Sequence, residues 1–122
     1  MTTDARQTLG RRGEQLAAEH LQRLGYELLA RNHRTRFGEL DIVASTTDAI
    51  VFVEVKTRRA GSGRPFDSLH DLKRAQVRRM AAAWLAETRD RPFAASLRFD
   101  AIGIVLGAAG ELARLEHHEG AF

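Results

Sequence analysis

Apolar and polar positions recur along this chain with two periods, and each change of period marks an element. Leu9, Gly13, Leu16, Ala17, Leu21 and Leu24 fall at helical spacing and Gly25 supplies a stop, so residues 9–24 are predicted to form an amphipathic helix. Tyr26 to Asn32 reads as an edge strand, and Asn32 to Phe37 as a basic connection. Two apolar runs follow, Gly38 to Ala44 and Ile50 to Lys56, separated by the polar stretch Ser45-Thr46-Thr47-Asp48. They predict a hairpin turning between Thr47 and Asp48, with a second strand apolar enough to be covered on both faces. Thr57 to Pro65 lacks periodicity and is rich in Gly and Arg, which predicts a mobile loop over 58–66. Ser68 with Asp71 makes a capping box for a second helix, patterned by Leu69, Leu72, Gln76, Met80 and Trp84 and stopped at Asp90-Arg91-Pro92. Ser96 to Leu106 and Glu111 to His118, joined by Gly107-Ala108-Ala109-Gly110, predict a second hairpin at one side of the sheet.

The order is therefore α-β-β-β-α-β-β, which predicts a three-layer α/β core with a mixed five-stranded sheet flanked by helices. The 122 residues make one domain by length, with residues 1–8 flexible and no repeat or linker. Absence of cysteine removes disulfide and thiolate chemistry and agrees with a reducing compartment. No run is apolar and long enough to span a bilayer and the first residues lack a signal-peptide core, so a cytoplasmic protein with no membrane partner is expected.

Polar residues inside the apolar hairpin change this bland picture. The turn position sets Val43 opposite Phe52, Asp41 opposite Glu54 and Glu39 opposite Lys56, all on one face by alternation. Three carboxylates and an ammonium then converge, an arrangement that suits a hard divalent cation such as Mg²⁺. A carboxylate buried like Glu54 otherwise needs a cation, donors or a proton. Glu14 falls on or beside the buried stripe of the first helix, where it either reaches this hairpin or complements the helix dipole. Gly10 and Gly13 are costly in a helix, which close approach of another backbone or of a phosphate would explain.

Asp41, then 12 intervening residues, then Glu54-Val55-Lys56 resembles the PD-(D/E)-x-K nuclease signature. With Gly10-Arg11-Arg12-Gly13-Glu14 upstream and Gly38-Glu39-Leu40-Asp41 before the hairpin, nearly the whole chain resembles the YraN-like predicted endonucleases, relatives of archaeal Holliday junction resolvases. Leu40 stands where the superfamily name has proline, a departure the resolvase-like branch tolerates. The resemblance implies a restriction-endonuclease-like fold and a DNA endonuclease, on branched or recombination-intermediate DNA, using Mg²⁺ or Mn²⁺. It implies catalytic roles for Glu14, Asp41, Glu54 and Lys56. Asp41, Glu54, the Val55 carbonyl and Glu14 would hold metal, with Glu39 and Gln76 as neighbours of the site. Implied partners are DNA and, beyond it, a second copy of this chain or a DNA-processing protein.

The net charge of +3 and pI of about 10.2 arise from clustered residues that suit a polyanion. Arg11, Arg12, Arg34, Arg36, Arg58, Arg59, Arg64, Lys73 and Arg74 are the expected nucleic-acid contacts. Of 19 basic residues only Lys56 and Lys73 are lysine, so a lysine at the strand end invites a chemical role. The rivals are a DNA-binding accessory protein that keeps the fold without catalysis and an enzyme on a small phosphoester; the intact acid-acid-lysine set weighs against the first, and the basic flanks against the second. His117 and His118 are adjacent, so on a strand they point apart and do not readily chelate one ion.

Overall fold

The computed structural model describes residues 5–62 and 71–122, with side chains over 8–62 and 74–122. The elements run α1 (Ala5–Arg23), β1 (Glu27–Thr35), β2 (Gly38–Ser45), β3 (Ala49–Arg59), α2 (Asp71–Glu87), β4 (Ser96–Leu106) and β5 (Leu112–His118). They build one five-stranded sheet ordered β1-β2-β3-β4-β5, antiparallel except for the β3–β4 pair, which is parallel. The expected element order and mixed sheet are therefore what the chain adopts.

Each face of the sheet buries one helix. Leu16, Ala17, Ala18 and Leu21 of α1 pack on Ile42, Ala44, Val51, Val53, Ile102 and Ile104. Val77, Met80, Ala81 and Trp84 of α2 pack on Leu40, Val43, Ile50, Phe52 and Phe99. The Phe52 ring stacks on Phe99 and meets Trp84 edge-on, centroids 5.4 and 5.8 Å apart. Alternation along β3 decides these assignments: Ile50 and Phe52 face α2, while Val51 and Val53 face α1.

Several boundaries differ from the sequence expectation, and pairing partners explain them. Residues 5–8, expected to be flexible, include the first turn of α1. β1 continues to Thr35, because Arg34 and Thr35 still pair with Glu39 and Gly38, so the connection shrinks to Arg36-Phe37. Arg58 and Arg59, assigned to a mobile loop, lie in β3 opposite Val105 and Leu106, since the parallel ladder runs all eleven residues of both strands. The capping box at Ser68, the stripe position Leu69 and residues 63–66 of the expected loop lie outside the described residues, as do the side chains of Asp71 and Leu72.

Gly13 shows why a helix here carries glycine. A Cβ on it would stand 1.8 Å from Thr57 Oγ1 and 2.8 Å from Thr57 Cβ, so α1 meets β3 almost backbone to backbone. Gly13→Ala should therefore lower stability by about 1–3 kcal/mol, overpacking outweighing the gain in helix propensity. Urea unfolding checks this, and Thr57→Ala in the same chain should recover part of the loss; a Gly13→Ala protein at least as stable as the parent would contradict the close crossing.

Candidate active site

The hairpin register is the expected one where it is paired: Ile42 faces Val53, Val43 faces Phe52, Ala44 faces Val51 and Ser45 faces Ile50. The ladder stops at Ile42–Val53, one step short of Asp41 and Glu54. There the Asp41 carboxylate accepts the Val55 N–H at 2.8 Å, a side chain replacing a strand partner.

β2 also changes facing at this point. Leu40 packs with α2 but Ile42 with α1, although two residues apart on a regular strand share a face. Across the β1–β2 ladder Arg31 pairs with Ile42 and His33 with Leu40, which leaves Asn32 across from Asp41. Asn32 has φ +50°, a left-handed conformation that Asn tolerates better than most residues. Strand irregularity centred on Asn32 and Asp41 thus turns the acidic residues toward α1 instead of leaving them beside Val43 and Phe52.

As a result the three carboxylates that converge are Glu14, Glu39 and Asp41, each half-buried, with one oxygen from each lying within 4.8 Å of the others. Of the expected trio of Glu39, Asp41 and Glu54, the first two fall in this group together with Glu14. Glu54 is half-buried at the point where β3 leaves the core, and its charge still acts on Glu14. Burial first, and then the charge of Glu39, push the Glu14 carboxyl above its ordinary value, with Glu54 adding to them. A hydrogen bond from Asn32 and the charge of Arg31 oppose the rise without cancelling it. Asn32 is the site residue that sequence reasoning missed. Its signal was faint: an Asn at the end of an apolar strand pattern.

Two clefts meet at Gly10 and Glu14. The larger, about 760 Å³, is lined by Leu9, Gly10, Glu14 and the outgoing half of β3 from Val55 through Arg59, including Lys56. The smaller, about 400 Å³, is lined by Gly10, Arg11, Glu14, Asn32, Arg34 and Glu39. Among the described residues, no atom outside its own stretch of helix lies within 4 Å of where a Gly10 Cβ would stand, so this glycine faces open space between the clefts, unlike Gly13.

The structure distributes the expected basic contacts unevenly. Arg58 and Arg59 line the larger cleft, Arg11 and Arg34 the smaller, and Arg34 reaches Glu39 at 3.6 Å. Arg12 instead points to the β4–β5 turn, 3.4 Å from the Gly110 carbonyl, and Arg36 stacks on the Phe37 ring. Arg74 is exposed on α2; Arg64 and the Lys73 side chain lie outside the described residues. Gln76 donates to the Phe37 carbonyl at 2.8 Å and lies against Gly38, whose φ of +134° favours glycine. It braces the turn that delivers Glu39.

The family described as uncharacterised protein family UPF0102 matches residues 13–104, from within α1 through most of β4. A UPF0102 protein of Acidothermus cellulolyticus is 47% identical over 113 residues, covering 85% of this chain and 86% of its own. One of Parafrankia sp. is 48% identical over 117 residues, covering 95% and 97%. One of Pelotomaculum thermopropionicum is 41% identical over 120 residues, covering 98% of each. On this match the chain belongs to the UPF0102 family.

Proposed function

We propose that this protein is a metal-dependent DNA endonuclease that hydrolyses phosphodiester bonds, on branched or recombination-intermediate DNA. The observation that carries the reading is the convergence of Glu14, Glu39 and Asp41 beside a cleft walled by Lys56, Arg58 and Arg59. Oxygen-only donors suit Mg²⁺ or Mn²⁺, and the Glu14 carboxyl is raised first by burial and then by the charge of Glu39, a cost to its ionised form that a bound cation would relieve. The residues present therefore fit a hard divalent cation, held by Asp41 and Glu14 with Glu39 and Glu54 beside them. Such an ion supplies Lewis-acid activation and neutralises charge on the phosphate.

The chain's own groups do the rest. Asp41, tied to the Val55 N–H, is fixed in place before substrate arrives. Lys56 orients or deprotonates the attacking water and offsets charge on the pentacovalent phosphate. Gly10 leaves room for the backbone of the substrate at the meeting of the clefts, and the arginines on either side hold its phosphates.

Incubation with branched, flapped, single-stranded and linear duplex DNA, with Mg²⁺ or Mn²⁺, tests the reaction. Binding is tested separately. Affinity should fall steeply with salt, and neutralising Arg58 and Arg59 together should flatten the log-log slope by about 2. An affinity independent of salt would remove nucleic acid from the partners.

A further inference from the structure

A second polar cluster ties α1 to β4 and β5. At its centre Asp100, 0% exposed, makes four bonds. Oδ1 accepts Arg98 Nε at 2.9 Å and the Gly120 N–H at 3.0 Å; Oδ2 accepts the second Arg98 donor at 2.9 Å and His117 Nε2 at 2.8 Å. Burial alone would raise the Asp100 carboxyl, but the His117, Arg98 and Gly120 donors outweigh it and hold it below the usual range. An ionised carboxylate can only accept, so His117 Nε2 carries a proton and, in the neutral ring, Nδ1 presents a bare lone pair.

That lone pair does not face open solvent. His117 Nδ1 lies 3.1 Å from His20 Nε2, with the rings 5.2 Å apart and inclined at 77°. Two imidazole nitrogens each bound at about 2.0–2.1 Å to one tetrahedral ion lie about 3.3–3.4 Å from each other. The pair is therefore within a few tenths of an ångström of chelating separation, and a shared proton or a shared metal ion would satisfy it. The buried carboxylate behind His117 is the partner that ligating histidines characteristically have, fixing tautomer and ring orientation. His20 is partly exposed, so an ion can enter and waters can complete its shell. Among the described residues, Arg23 on α1, Arg98 on β4, Tyr26 and Glu119 are further charged or titratable groups around the cluster, and Arg98 is engaged by Asp100, Tyr26 and Glu119.

We propose that His20 and His117, oriented by Asp100, form a two-histidine site for a borderline divalent transition metal, Zn²⁺ or Ni²⁺. It is chemically distinct from the carboxylate trio: imidazole selects zinc and nickel, carboxylates select magnesium and manganese. A bound ion would pin α1 to β5 independently of the trio.

Zn²⁺ binding, measured by competition with a chromophoric chelator at pH 7.5, tests this in a Glu14→Gln/Asp41→Asn protein, in which the trio is disabled. One Zn²⁺ per chain is expected, with affinity falling at least about tenfold in either His20→Gln or His117→Gln. Affinity should also fall as pH is lowered, because a metal binds only the unprotonated ring nitrogens. His20 is partly exposed, so its variant is expected to stay folded, and circular dichroism verifies that. Undiminished Zn²⁺ affinity in folded His20→Gln, or no binding up to about 1 mM Zn²⁺, would overturn the proposal.

Discussion

Asp41→Asn is expected to lower single-turnover DNA cleavage by at least about 10²–10³-fold, the scale of removing one charge-stabilising group from an active site. Asn keeps an oxygen able to accept the Val55 N–H, so the irregular join between β2 and β3 should persist. The metal-free variant should be as stable as the parent or more so, because one of three converging negative charges is gone. Glu54→Gln should behave alike, with a smaller gain in stability, since Glu54 acts on the trio from outside. pH dependence separates charge relief from packing. With the Glu14 carboxyl raised in the folded state, the folded protein holds that proton more tightly than the unfolded chain does. Its contribution therefore favours the folded state at low pH and is lost as pH rises from the ordinary carboxylate value of 4.5 through the raised one. Urea melts across this window should show the loss in the parent and a flatter profile in Glu14→Gln. Wild-type cleavage rates in both Asp41→Asn and Glu54→Gln would remove these residues from the active site.

Lys56→Met should leave DNA affinity within a few-fold, since Lys56 is one cation on a cleft that also carries Arg58 and Arg59. Turnover should fall by about 10²-fold or more, the scale of losing a general base or an electrostatic stabiliser. A protein that only binds DNA has no turnover to lose, so this pair of measurements separates nuclease from binding module. Lys56→Arg probes further: it keeps the charge but substitutes a bulky fork that does not give up its proton. Affinity measured in Ca²⁺ and single-turnover rates at saturating protein separate the two effects. Wild-type cleavage by Lys56→Arg would exclude the base role and leave Lys56 as a charge.

The helices, the strands and the paired part of the hairpin register were legible because they rest on local periodicity. Val43 opposite Phe52 follows from where the polar turn lies, and the paired strands keep it. The site was less legible, because it is built where periodicity fails. Alternation from Phe52 and Val43 places Asp41 on the α2 side, and it takes the opposite facing of Leu40 and Ile42, the left-handed Asn32 and the side-chain bond from Asp41 to Val55 to show that the strand turns there. That irregularity brings Glu14, a residue whose role at the first turn was ambiguous from spacing alone, into contact range of Glu39 and Asp41. Arg58 and Arg59 were misread for a related reason: their glycine-rich neighbours suggest a loop, while the partner that holds them in a strand is β4, more than forty residues away in the chain. The pairing of His117 with His20 was not legible because it joins a strand to a helix 97 residues away, beyond any local periodicity.

The most direct measurement is single-turnover cleavage of end-labelled four-way-junction, flapped, single-stranded and linear duplex DNA by the parent protein and by Asp41→Asn, with Mg²⁺ and with the metal chelated. Mg²⁺-dependent phosphodiester cleavage by the parent is expected, fastest on a branched substrate, and none above background by Asp41→Asn. No cleavage of any of these DNAs by folded, DNA-binding parent protein in Mg²⁺ or Mn²⁺, or cleavage that Asp41→Asn leaves unchanged, would contradict it.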